Sequence, residues 1–148
     1  IGEGVDFEGL IPPEDLPAYM VASDAFLSVP SVDATAVSLL EAMACGTPVV
    51  VSALDSALEW VEDGESGLVV RPRDLAGLQE AVLKLTADPA LRARLGRKSA
   101  EIVRRRADHD VHMARMEKLC LDLIGEGSGT GPDRVPGRPR GSEGPAGG

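Results

Sequence analysis

Pro30-Ser31-Val32-Asp33-Ala34-Thr35-Ala36-Val37-Ser38-Leu39-Leu40-Glu41-Ala42-Met43-Ala44-Cys45-Gly46-Thr47-Pro48, followed at once by Val49-Val50-Val51, is the stretch on which the fold turns. Pro30 closes an apolar run, Ala25 to Val29, because proline cannot continue an inner ladder. Val37 to Cys45 reads as a helix rich in apolar side chains. Gly46 supplies the left-handed C′ residue, and Pro48 blocks any continuation. The β-branched run at 49–51 then has the composition of a central strand. Strand, small-residue loop, helix, strand is the unit from which parallel sheets are built.

The same alternation extends in both directions. Val5-Asp6-Phe7-Glu8 reads as a strand closed by Gly9, and Pro12-Pro13 leads into a helix from Glu14 to about Ala22. After the central strand, a short helix spans Ala57 to Val61, and Leu68-Val69-Val70 is a further strand. Leu75, Leu78, Val82 and Leu85 recur at helical spacing as one apolar stripe. Asp88-Pro89 is an N-cap with proline at N1, opening a second helix. Met116, Leu119, Cys120, Leu123 and Ile124 line a last one. The reading is an α/β, Rossmann-like doubly wound parallel sheet with C-terminal helices over residues 1–124. Residues 125–148 hold nine Gly and four Pro among 24. With so little to bury, they are expected to form a disordered tail.

Composition narrows the function. The 148 residues carry a net charge of −9, with 3% aromatic side chains. Residues 1–70 hold thirteen acids and no Lys or Arg, whereas 71–124 hold twelve bases against eight acids. Such an acidic half repels phosphate backbones, and four aromatic rings make no base-stacking platform, so nucleic-acid binding is not expected. No apolar run approaches the roughly 20 residues of a membrane span. No basic–apolar–small segment opens the chain, so no secretory leader is expected. Two cysteines, Cys45 and Cys120, suit a reducing compartment rather than a disulfide framework.

Chemistry concentrates in the opening stretch. Ligands of open α/β sheets bind outside the carboxyl ends of the strands. Free amides near Thr35 to Ser38 would attract an anion such as a diphosphate, and Ala34 and Ala36 let it approach the backbone. Asp33 and Glu41 frame the position. Glu41, in an apolar helix, either reaches a hydrogen-bond partner or simply points to water. Asp33 is either a ligand or an ordinary loop residue. His109 and His112 lack a third ligand at metal spacing. Ser28, Ser31 and Ser52 lack a nearby His-Asp arrangement, which argues against a serine nucleophile.

The stretch resembles the donor-site motif of glycosyltransferase family 4, the "glycosyl transferases group 1" domain of the GT-B fold. That family carries two acids with seven residues between them, the second inside a Leu-Glu-Ala-Met-Ala-x-Gly-x-Pro-Val run. Leu40 to Val49 reproduces that run without a gap. Pro30-Ser31, the segment Glu62-Asp63-Gly64-Glu65-Ser66-Gly67-Leu68-Val69-Val70, and Val5 to Gly9 fit as well. The similarity spans about residues 4–120.

The resemblance implies a cytoplasmic glycosyltransferase that moves a sugar from a nucleotide-diphosphate donor to an acceptor with retention of configuration. It implies neither metal nor cofactor, the sugar nucleotide being substrate. Glu41 would accept hydrogen bonds from the ribose, Asp33 from hydroxyls of the transferred sugar. Amides of Thr35, Ala36 and Val37 would face the diphosphate, and Leu10 and Ile11 would lie near the base. Catalysis would rest on positioning and on stabilising the leaving diphosphate.

Three departures temper this. Asp33 stands where glutamate is commoner, and Asp55-Ser56 stands where relatives carry Gly-Gly. The Arg and Lys that neutralise the leaving group in the family have no counterpart. The chain thus resembles the later two-thirds of a donor-binding domain, and an N-terminal acceptor domain would act with it in cis or in trans. Strand Val5–Glu8 would then either pair with Ala25–Val29 or leave that strand as an open edge. The acceptor is not legible, and membrane contact stays open for a full-length form. Two alternatives compete: a catalytically inactive sugar-nucleotide-binding partner module, and an unrelated flavodoxin-like fold with Asp24 and Asp55 near a metal.

Overall fold

The computed structural model describes residues 4–34 and 37–126. Residues up to Asp108 form one compact unit and those from His109 a second. The first holds a parallel sheet of β1 (Phe26–Ser28), β2 (Val49–Ser52) and β3 (Leu68–Val70), in the order β1-β2-β3. Phe26 stands opposite Val49, and Val50 opposite Leu68. The all-valine run is central, as its composition predicts: Val49, Val50 and Val51 are fully buried.

Side chains of a strand alternate between faces, and β2 builds a core on each. Val49 and Val51 pack with Met20 of α1 (Leu16–Ala22), Leu39 and Met43 of α2 (Val37–Ala44), Val61 and Val103. Val50 packs on the other face with Leu68, Val70, Ala81, Leu85, Leu91 and Leu95. These come from β3, α4 (Leu75–Ala87) and α5 (Pro89–Arg106). Helices therefore cover both faces of the sheet, the arrangement that parallel strands require.

The punctuation of the sequence works as predicted at two points. Gly46, at φ +75°, donates its amide to the Met43 carbonyl while Thr47 donates to that of Ala42, the paired bonds of a Schellman motif. Asp88 accepts the Leu91 amide at 2.9 Å and caps α5, with Pro89 in its first turn.

Four expectations are corrected. Residues 5–8 form no strand; Val5 and Phe7 are exposed, and the outer side of β1 has no partner among the described residues. A strand is held by its neighbour's backbone groups, and hydrophobic alternation cannot supply that neighbour. The helix expected at 57–61 is instead α3 (Asp55–Leu58), because the turn opens directly from the extended Leu54. α1 begins two residues later than expected, after a turn on the Pro12 carbonyl. Finally, Leu75 of the α4 stripe is exposed, and Ala81 and Leu85 carry its burial.

α5 lies under the amino edge of the sheet. Arg92 pairs with Asp24, just before β1, at 3.2 Å. Arg94 donates to the Gly64 carbonyl, before β3, at 3.0 Å. Gly96 abuts Gly46, before β2, so closely that a Cβ there would run into the Gly46 carbonyl oxygen.

The second unit contains α6 (His109–Glu126), on which Met113, Met116, Leu119 and Leu123 are exposed. The expected tail lies, from residue 127, outside the described residues. Among those described, no helix is long and apolar enough to cross a membrane.

Candidate functional site

All three strands run the same way, so the loops after Ser28, Ser52 and Val70 share one edge. Between the ends of β1 and β2 they enclose a narrow cleft. Ser28, Asp33, Ala34, Ser52 and Ser56 are among its lining residues, with Leu39 at the floor. Ser56 donates its hydroxyl to the Asp33 backbone carbonyl at 3.3 Å, which ties the loop before α2 to the start of α3. The Asp33 side chain is exposed.

Glu41 opens elsewhere. Val37, Glu41 and Ala44 lie on one exposed stripe of α2, as residues four and three apart must. The Glu41 carboxylate lines a second, mostly apolar cleft between α1 and α2, with Pro13, Leu16, Pro17, Met20, Ala44 and Cys45. The sequence's two acids therefore flank α2 without sharing a depression. Glu41 sits one helical turn, about 6 Å of rise, beyond Val37 at the helix start. Leu10 is almost wholly exposed and Ile11 half-buried, and Pro13, two residues on, forms part of the rim of the Glu41 cleft. Thr35 and Ala36 fall outside the described residues, and Val37 begins α2 with its side chain exposed.

Sequence reasoning considered Ser28 and Ser52 only as nucleophiles and set them aside. The structure places both beside Asp33 as hydroxyls at strand ends. Register was the only signal that could have paired them, because they are remote in sequence.

The same edge carries the first bases of the chain. Arg71 follows β3 and pairs with Asp74 at 3.0 Å, while Arg73 takes the left-handed φ of 65°. Asp74 caps α4 by accepting the Gly77 amide at 2.9 Å. That bond, then Arg71, holds its carboxyl below the usual carboxylate range. By contrast, Asp24 and Asp55 lie at opposite edges of the sheet, Asp24 before β1 and Asp55 after β2. A four-residue strand, about 13 Å long, separates those edges, so the two carboxylates cannot share one metal ion and that flavodoxin-like reading falls.

A small parallel sheet, helices on both faces and a loop-built cleft at the carboxyl edge define a Rossmann-like α/β domain of the GT-B type. The chain belongs to the glycosyl transferases group 1 family, whose pattern matches residues 1–102. It is 38% identical over 104 residues to a GDP-mannose-dependent α-(1-6)-phosphatidylinositol monomannoside mannosyltransferase of Mycolicibacterium smegmatis, covering 65% of this chain and 27% of that protein. It is 36% identical over 105 residues to a phosphatidyl-myo-inositol mannosyltransferase of Mycobacterium leprae, covering 70% and 28%. Among solved structures, sucrose-phosphate synthase from Thermosynechococcus elongatus superposes with a TM-score of 0.81 at 32% identity, covering 84% of this chain and 31% of that one. The chain spans about a quarter of the length of these curated relatives.

Proposed function

We propose that this chain is the donor-binding portion of a glycosyltransferase that moves a sugar from a nucleotide diphosphate to an acceptor with retention of configuration. The observation that carries the reading is the placement of α2. Its first turn stands at the carboxyl edge beside the Asp33 cleft, and Glu41 projects one turn further along its exposed side. A nucleotide sugar laid across the start of α2 would put its sugar at Asp33. Its diphosphate would lie over the amides of Thr35 to Val37, and its ribose against Glu41. The base would extend toward Leu10 and Ile11, past the Pro13 rim.

Charge supports the same orientation. The first seventy residues bring no cation to this edge, so neutralisation of a diphosphate falls to backbone amides and to bases from elsewhere. Arg71 and Arg73 stand on that edge two strand spacings, about 10 Å, from β1. The reaction as read needs no protein nucleophile and no metal. The chain's task is to orient the donor and to offer dipoles to the leaving phosphate. The acceptor would be held by a further domain, acting in cis or in trans.

Thermal melting with GDP or UDP tests the reading, since a ligand selective for the folded state must raise its stability. One of the two should raise Tm by several degrees at a concentration of about 100 times Kd. Glu41→Ala, at an exposed position, should leave the unliganded Tm in place and abolish the rise. A rise that survives this substitution would remove Glu41 from the site; no rise with either nucleotide would remove the donor reading itself.

A further inference from the structure

A hydroxyl taken out of water must find a partner inside the fold. Thr47 donates to the Met20 carbonyl at 2.6 Å, Ser66 accepts the Glu62 amide at 2.9 Å, and Ser99 donates to the Gly96 carbonyl at 2.9 Å. All three are buried. Ser52 is as deeply buried, at 2% exposure, yet its hydroxyl bonds to no group among the described residues. It lines the cleft at the carboxyl edge instead, with Ser28, whose hydroxyl also has no partner among those residues. Leaving such a group unpaired is costly, and native chains rarely keep one without a use.

The size and walls of the cleft limit what can satisfy these serines. Its open volume is about 10 Å³, room for one water-sized oxygen. Pro30, Leu39, Leu54 and Ala57 make much of the wall apolar, and Asp33 stands with the serines as the charged member of the lining. A serine hydroxyl donates or accepts, whereas a carboxylate only accepts. The fitting occupant therefore brings both a proton and a lone pair, as a neutral hydroxyl does. A phosphate oxygen brings no proton and is repelled by Asp33.

We propose that Ser52, with Ser28, forms a specificity pocket for a single hydroxyl of the transferred sugar, taken up in exchange for solvent. The proposal rests on the donor reading of the carboxyl edge and adds to it a reader of the sugar itself. The exposed Asp33 side chain can adapt to several hydroxyl arrangements. The serines cannot, because they are fixed at the ends of two paired strands. They accept a sugar with a hydroxyl at the matching position and disfavour one without it, since the serines then lose solvent and gain no partner.

Titration calorimetry of the full 148-residue chain tests it, with UDP, UDP-glucose, GDP and GDP-mannose as probes. One sugar nucleotide should bind more tightly than its own diphosphate. Ser52→Ala should weaken that sugar nucleotide about fivefold, the loss of one neutral hydrogen bond, and leave the affinity for the diphosphate in place. Its unliganded Tm should not fall, because the hydroxyl removed has no partner in the fold; Ser99→Ala, which removes a paired one, should melt lower. Ser28→Ala, at a half-buried position, should repeat the selective loss. Equal weakening of sugar nucleotide and diphosphate, weakening of neither, or a sugar nucleotide bound no more tightly than its diphosphate would overturn the proposal and leave the donor reading standing. Binding of none of the four probes by the unaltered chain would remove the donor reading, and this proposal with it.

Discussion

The two edges of one three-stranded sheet are built to opposite specifications. At the amino edge, α5 seals the strand entries with an Arg92–Asp24 ion pair, an Arg94–Gly64 hydrogen bond and the Gly46–Gly96 backbone contact. At the carboxyl edge, three serine hydroxyls and the Asp33 carboxylate line a narrow cleft, and an exposed hydrogen bond from Ser56 to the Asp33 carbonyl ties its loops. Stability and the proposed donor binding thus draw on different ends of the same strands. A packed edge holds the strands in register, which frees the loops at the other edge to present polar groups that a core could not tolerate.

That contrast can be broken most severely at Gly96. Gly96→Ala forces a methyl into the Gly46 carbonyl, so α2 and α5 must separate. A loss of about 3 kcal/mol in urea unfolding is expected; a loss below about 1 kcal/mol would show that the edge yields easily. Asp74→Asn probes the carboxyl edge and should have a smaller effect that depends on pH. The lowered pKa means that the folded chain binds this proton less readily than the unfolded one. The carboxylate's stabilisation is therefore complete above the ordinary aspartate pKa of about 3.9 and is lost as pH falls through the lowered value. Parent and variant melting curves should converge in acid and diverge toward neutrality. The smallest effect is expected from Ser56→Ala, within about 0.5 kcal/mol, because the bond it removes is exposed. Its signature should instead be a weaker Tm response to nucleotide, since the Asp33 loop loses its tether.

Local signals were legible where the chain itself enforces them. Gly46 and Pro48 end α2, Asp88 and Pro89 start α5, and the valine run is the buried centre, as read from those residues alone. Elements that depend on a partner were not legible. The apolar alternation at 5–8 has no strand beside it among the described residues, and Leu75 shares a helical period with Leu85 but not its burial. The same division runs through the candidate site. The spacing of Asp33 and Glu41 singled them out, yet spacing places them only along the chain. Their exit into two separate clefts follows from how α1 and α3 pack around α2.

Sequence alone determined the layered α/β class and the helix limits at Gly46 and Asp88, and it singled out the two acids proposed as donor ligands, because each rests on chain geometry within a few residues. Tertiary structure alone decided that Ser28 and Ser52 meet at Asp33 and that α5 closes the amino edge. These facts join residues far apart in sequence, and only strand register and helix packing bring such residues together.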